Sequence, residues 1–363
     1  MNRLKLRGIT DLYLVSGGVP HFKEMVELAG PIANAITNEY GTIEFLKRLS
    51  NPYFFSSFAC VLGFEYNTSG QTTITLLALK QALEKENIGV MIAGGKGKLR
   101  LKIPEEIEKI GNNFNISTQK IEQTKYASKI SAKVDSSALQ DLNGNIYFHS
   151  IILNEKANYT IIQQKMAIEE QLARRYHWFQ PENLVIEPHS GIIGNKQEIV
   201  LDLTANKADS ARNMIVDIAK ENPLRLNEQL KEFKQSTFKG FLRKLTGIQY
   251  LNPPKKLNQK VLETTKNAKN FEELLAIKGV GPATIRGLSY IASLVYGTEP
   301  SWKDPAKYEW AFGTKTGRPY FVKRNEMCKV ANILKTAIEN AKIGNKEKIE
   351  AIRRLKDFLP KEI

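Results

Sequence analysis

The chain has 363 residues, 42% of them hydrophobic, and its 53 Lys and Arg against 38 Asp and Glu give a net charge of +15. This length exceeds one typical hydrophobic core, so two or three domains are expected, and the charge favours a polyanionic partner. The two cysteines, Cys60 and Cys328, both lie in apolar sequence, which argues against a disulfide framework or a cysteine-based zinc site. No apolar run approaches the ~20 residues of a membrane span, so we predict a cytoplasmic protein without a membrane partner.

The first quarter of the chain has helical periodicity, over residues 21–39, 42–49, 52–62 and 73–86. An apolar strand follows and ends in the glycine-rich segment 94–98, which lacks the spacing of a nucleotide-binding P-loop. Two interpretations stay open. The segment is a basic turn that touches phosphates or solvent through Lys96, Lys98 and Arg100. Alternatively, the like charge of Lys98 lowers the pKa of Lys96, and Lys96 attacks an aldehyde such as that of an abasic site in DNA.

The middle of the chain changes from helix to strand. The pattern predicts a helix over residues 117–140, whose basic face includes Lys133 and either extends a DNA-binding surface or is simply solvated. Strands are predicted over residues 146–153, 159–164, 184–187 and 198–203.

Polar side chains in this middle region are candidates for a site. The run from Arg174 to Trp178 combines cations, an imidazole and aromatic rings, so Arg174, Arg175 and His177 could bind phosphate and an unstacked base. The alternative is a helix end whose aromatic rings lie in the core. Carboxylates at strand ends would suit a metal-dependent nuclease built on Asp135, Asp141 and Asp202, although glutamine stands where such nucleases have a second carboxylate. Neither a metal nor a cofactor is predicted.

The pattern after residue 208 is helical, and residues 223–260 carry nine basic side chains against two acidic ones, with Arg243 and Lys244 among the basic ones. Residues 271–292 then predict a short helix, a Gly-Val-Gly turn and a second helix that begins at Pro282. Exposed amides and the positive end of the second helix would bind a backbone phosphate. The predicted DNA contacts in this segment are Lys278, Gly279, Val280, Gly281 and Thr284.

Residues 271–296 resemble the helix-hairpin-helix motif of DNA-repair glycosylases, ligases and structure-specific nucleases. In the glycosylases an essential aspartate follows the hairpin at a similar distance, which implies that Asp304 takes this place; a helix cap before Pro305 is the alternative. The lysine of the bifunctional members corresponds to Ala283 here. A Schiff base would therefore require another lysine, and Lys96 is the candidate.

Over nearly its whole length the chain resembles a prokaryotic family, found in archaea and bacteria, that is catalogued only as a domain of unknown function. The resemblance lies in short segments at residues 48–52, 60–64, 94–98, 133–141, 174–178, 187–189 and 304–308. Residues 313–317 read Gly-Thr-Lys-Thr-Gly where Gly-Gly-Lys-Asp-Gly is expected. The resemblance implies no activity.

We therefore predict a mostly helical α+β protein with a small central sheet and a carboxy-terminal helix-hairpin-helix domain. The predicted domains are residues 1–125, 126–207 and 208–363. The predicted function is DNA binding in genome maintenance, with cleavage at abasic or damaged sites through a Schiff base on Lys96 and with Asp304 or Asp135 assisting proton transfer. The alternatives are the metal-dependent nuclease and a non-catalytic DNA or RNA adaptor.

Overall fold

A computed structural model describes residues 21–64, 69–169, 172–235, 251–306 and 324–358. Its centre is a five-stranded antiparallel sheet covered by helices on both faces, which confirms the α+β class. The spatial order of the five strands is β1-β3-β4-β5-β6. The strands are β1 (Val90–Lys96), β2 (Leu139–Gln140), β3 (Asn145–Asn154), β4 (Tyr159–Ala167), β5 (Leu172–Phe179), β6 (His189–Ile193) and β7 (Leu201–Asp202), of which β2 and β7 form a separate pair.

One face of the sheet is covered by the helices of the first quarter, close to the predicted ranges. They are α1 (Phe22–Tyr40), α2 (Thr42–Leu49), α3 (Pro52–Val61) and α4 (Ser69–Glu86). Helix α3 begins at Pro52 because the side chain of Asn51 accepts hydrogen bonds from the amides of Tyr53 (2.9 Å) and Phe54 (3.2 Å). Every residue of α3 is buried, so the apolar run that distinguishes it in the sequence forms the centre of this layer.

The other face is covered by α5 (Ile103–Asn113), α6 (Thr118–Lys133), α7 (Asp209–Ile218), α8 (Pro223–Gln235), α9 (Gln259–Thr265), α10 (Phe271–Ala276) and α11 (Pro282–Tyr296). Helix α6 is shorter than predicted because a π-helical turn over Val134–Ala138 leads directly into β2. Helices α12 (Arg324–Asn340) and α13 (Asn345–Phe358) return to the first layer, where Leu334 and Ile338 share a core with Phe54 and Phe58. Among the described helices, none is long and apolar enough to cross a bilayer.

The predicted strand over residues 184–187 is wrong. The side chain of Asn183 accepts hydrogen bonds from the amides of Val185 and Ile186, both at 2.8 Å, and so closes a turn. The strand predicted over residues 198–203 is shorter in the structure, where only the two residues of β7 are in a strand. Conversely, β1 continues through the predicted glycine loop as far as Lys96, which pairs with Phe148 of β3.

Candidate functional site

The predicted turn between α10 and α11 is present in the fold. Asn270 caps α10 by accepting a hydrogen bond from the amide of Glu273 (2.8 Å), while the carboxylate of Glu273 accepts one from the amide of Lys269 (3.0 Å). This reciprocal arrangement fixes the start of the short helix. Helix α11 then begins at Pro282, which lacks the amide hydrogen that a first helical turn leaves unpaired.

Two glycines give this turn its shape, for different reasons. Gly279 has φ +94°, and a Cβ atom there would approach the Cγ2 atom of Val261 to 2.9 Å, so this position requires glycine. Gly281 has φ −144°, and a Cβ atom there would meet nothing within 4 Å. Gly281 is therefore a position where a side chain can be added without disturbing the fold.

The turn also has an inner and an outer side. Val280 is buried, and its carbonyl oxygen accepts a hydrogen bond from the Nζ atom of Lys133 at 2.5 Å; the carbonyl oxygen of Ile277 lies 3.5 Å from the same atom. Burial, followed by the charge of Lys129, lowers the pKa of Lys133. Lys133 was predicted to contact DNA, but here it holds the turn against the end of α6.

The turn and the start of α11 leave several amide groups unpaired. Within the described residues, the amides of Gly279, Gly281, Ala283 and Thr284 have no hydrogen-bond partner. The chain is exposed from Lys278 to Gly279 and again from Pro282 to Ala283. These amides stand at the positive end of the 15-residue helix α11, an arrangement that binds anions in other proteins.

Exposed cations surround the turn. Lys278 is part of it, Lys260 precedes the valine that packs on Gly279, and Lys129 lies one helical turn before Lys133. Lys125, by contrast, is paired with Glu108 (2.9 Å) and Glu122 (2.8 Å). The predicted contacts Arg243 and Lys244 lie outside the described residues.

The other predicted DNA contacts from the middle region are buried. Arg174 lies in β5, where its Nη1 atom donates to Asp141 (2.9 Å) and its Nη2 atom donates to both carboxylate oxygens of Asp304 (2.8 and 2.7 Å). Lys165 and Tyr176 also donate to Asp141, at 2.7 and 2.8 Å. Burial alone would raise the pKa of Asp141, but the charges of Lys165 and Arg174 outweigh it, so this pKa falls below its usual value. Asp304 is thus an ion-pair partner, and it also caps residues 304–306 by accepting from the amide of Ala306 (2.9 Å).

Arg175 and His177 lie on the opposite face of β5, beneath α3 and α4. The Nε atom of Arg175 donates to the Nε2 atom of His177 (2.8 Å), so the proton of the imidazole resides on Nδ1 and is donated to the carbonyl oxygen of Leu49 (3.1 Å). Burial, together with the charge of Arg175, lowers the pKa of His177 well below its usual value. Neither side chain reaches the surface, so neither belongs to a DNA interface in this conformation.

The predicted catalytic residues do not meet. Lys96 is exposed at the end of the edge strand β1, next to Lys98 and Arg100, and Arg100 donates to the carbonyl oxygen of Ile146. Asp135 is fully buried beneath β4, β5 and β6, where it accepts from Gln163 (2.6 Å) and Trp178 (3.0 Å). In the part of the chain that the structure describes, no hydrogen bond or ion pair joins Lys96 to Asp135 or to Asp304.

The carboxylates of the nuclease alternative are likewise used by the protein itself. Asp141 is neutralised by two cations, and Asp202 accepts from the amide (2.8 Å) and the hydroxyl (2.6 Å) of Thr204. Across the described ranges, no three His, Cys, Asp or Glu side chains are placed to hold a metal ion.

Two contacts of the turn were not predicted from the sequence. Its contact with Lys133 spans 147 residues, and the Gln140 side chain links the start of α11 to β2 by donating to the carbonyl oxygen of Pro282 (2.9 Å) and accepting from Arg286 (2.6 Å). Only a long-range pairing signal could have found either of them.

Comparison with protein families matches residues 8–322 to the family described as "Protein of unknown function (DUF763)". Neither the curated proteins nor the solved structures yield a match to this chain.

Proposed function

Since the chain belongs to the DUF763 family, whose description assigns no activity, we propose from its own residues that it binds the phosphate backbone of DNA. The contact is made by the outer side of the turn at residues 277–281, which resembles the helix-hairpin-helix motif of DNA-repair proteins. A role in genome maintenance and a cytoplasmic location are part of this proposal.

The observation that carries the proposal is that four amides at the positive end of α11, those of Gly279, Gly281, Ala283 and Thr284, have no partner among the described residues. A phosphate placed there accepts several hydrogen bonds and faces the helix dipole. The exposed Lys278 supplies a full positive charge beside it. Such contacts position a protein on nucleic acid without reading bases, so we expect weak dependence on sequence and strong dependence on salt.

Gly281→Glu is the substitution that tests this site. Because a side chain at this position has room, the variant is expected to fold normally, while its carboxylate would lie among the amides and repel the phosphate. We expect the affinity for duplex DNA to fall at least about tenfold, equivalent to ~1.4 kcal/mol. Fluorescence anisotropy with a labelled duplex measures this, and unfolding curves confirm the fold.

Lys278→Ala should weaken binding of all duplex sequences alike and lower the salt slope by about one unit. Lys85→Ala is the matched control, because Lys85 is also exposed but belongs to α4 on the opposite face of the sheet. The proposal would be contradicted if Gly281→Glu and Lys278→Ala both fold and both leave the DNA affinity unchanged.

The Schiff-base step on Lys96 remains a separate prediction. If it occurs, borohydride should trap a covalent adduct between wild-type protein and DNA that contains an abasic site, and Lys96→Ala should abolish the adduct while DNA binding persists. DNA binding without any adduct in wild type would favour the non-catalytic adaptor. Equal trapping by Lys96→Ala would show that another amine forms the Schiff base and would rule out Lys96.

A further inference from the structure

A cavity of about 570 Å³ lies on the same face of the sheet as the turn at residues 277–281. It is formed where β6 and the β2–β7 pair meet residues 301–306. Its volume falls within the range of roughly 300–1,000 Å³ that is typical of small-molecule sites. None of its lining residues belongs to the turn or to the Lys96 segment, so the cavity is separate from the proposed DNA interface.

His189 forms part of the inner wall of this cavity. Its Nε2 atom lies 2.5 Å from Asp135, whose other oxygen accepts from Gln163 and Trp178. Asp135 engages the Nε2 atom, so the second ring nitrogen, Nδ1, is left for another partner. Among the described residues, no group donates to this Nδ1 atom. Asp135 thus orients His189 and leaves its Nδ1 atom for a ligand.

Asp202 is a hydrogen-bond acceptor in the same wall. Only 2% of its surface is exposed, and both of its hydrogen bonds with Thr204 use the Oδ1 atom. The described part of the chain offers no partner to the Oδ2 atom. Because Asp202 lines the cavity, this oxygen is a hydrogen-bond acceptor for a ligand that donates from inside the cavity.

The mouth of the cavity is basic. Lys196, Lys207 and Lys303 are exposed lining residues from three separate segments, and none of them forms an ion pair with a described residue. Glu187 is the exposed acidic residue in the same lining. Asp304 lines the cavity too, but its charge is compensated by Arg174. The three cations at the mouth favour a ligand with an anionic end, and Asp202 inside favours one with a hydrogen-bond donor at its other end.

We propose that this cavity binds a small phosphate monoester that also carries hydroxyl or amino groups. The phosphate lies against Lys196, Lys207 and Lys303, while ligand hydroxyl or amino groups donate to Asp202 and form a hydrogen bond with the Nδ1 atom of His189. A free mononucleotide and the 5′-phosphate at a strand end offer the same chemistry.

Isothermal titration of the full chain with AMP, adenosine and inorganic phosphate tests the cavity. We expect AMP to bind, and adenosine to bind at least about tenfold more weakly because it lacks the phosphate. Lys207→Met and Lys303→Met, which alter exposed side chains, should each weaken AMP several-fold. The control is Lys109→Met, on the exposed side of α5. The same titration with a 5′-phosphorylated oligonucleotide and with its 5′-hydroxyl form distinguishes the two sources of the phosphate. Tighter binding of the phosphorylated form would indicate a strand end, and equal binding of both forms would indicate the free nucleotide.

The result that overturns the cavity proposal is AMP binding that is absent at about 10 mM, or that is unchanged in the Lys207→Met/Lys303→Met double variant. This outcome is separate from the hairpin: Gly281→Glu should leave AMP affinity unaltered. Conversely, the double variant that loses AMP binding should keep the DNA affinity that depends on the amides of the turn.

Discussion

Arg174→Met is expected to lower the free energy of unfolding by about 3–5 kcal/mol. Arg174 joins Asp141 to Asp304 in a buried network, and removing it leaves the buried carboxylate of Asp304 without its cation. Burial opposes the charge on Arg174, but the two carboxylates outweigh that effect and raise the pKa of Arg174 above its usual value. Removing one member of a buried pair costs several kcal/mol because the remaining charge is uncompensated.

Urea unfolding of Arg174→Met and of the Arg174→Met/Asp304→Asn double variant measures this effect. The double variant should be more stable than the sum of the two single changes predicts, by about 1–3 kcal/mol, because it also removes the stranded charge. Arg225→Met is the control: Arg225 is mostly exposed and lies 3.8 Å from Glu221, so it should change stability by less than about 0.5 kcal/mol. A cost below about 1 kcal/mol for Arg174→Met would mean that the network does not stabilise the fold.

The two buried histidines should make the protein less stable in mild acid. Burial lowers the pKa of His149 to about 4, and burial together with the charge of Arg175 lowers the pKa of His177 well below its usual value. Between these values and about 6.5 the unfolded chain binds protons that the folded chain does not, so stability falls as pH decreases through this window. Each histidine contributes about 1.4 kcal/mol per pH unit there, which amounts to roughly 2 kcal/mol per histidine between pH 6.5 and 5.

Burial also raises the pKa of Asp135 and of Asp202, and these two shifts make the free energy of unfolding increase as the pH falls. The effect of the histidines is therefore measured as the difference in pH dependence between wild type and a histidine variant. In urea unfolding at pH 7 and pH 5, His149→Gln should remove about 2 kcal/mol of the pH-dependent loss. The exposed His21 provides the control substitution, His21→Gln. Equal pH dependence in wild type and His149→Gln would show that His149 accepts a proton in the folded state.

Local patterns in the sequence predicted the parts of the fold that depend on local interactions. Helix α2 occupies the predicted residues, and the turn before Pro282 is where the glycine spacing indicated. Strand β5 was not predicted, because its charged residues read as surface residues. Burial of Arg174 is possible only because Asp141 and Asp304, 33 and 130 residues away, compensate its charge. Such partners are not visible in periodicity.

The same limit explains what was missed in the candidate sites. Lys133 has the composition of a DNA contact, and only the fold reveals that its amine is used by Val280. The lining of the cavity comes from segments between residues 187 and 306 that share no motif. Single polar residues such as Lys207 or Thr204 cannot be recognised as site residues from the sequence. They come together only in the fold, where β7 pairs with β2 and with Ser301.

Amide hydrogen exchange of the full chain, with and without saturating duplex DNA, tests the central proposal most directly. If the turn grips the backbone, exchange should slow at the amides of Gly279, Gly281, Ala283 and Thr284, and this protection should fade as salt releases the DNA. DNA that binds while these four amides exchange at their free rate, with protection elsewhere on the surface, would contradict it.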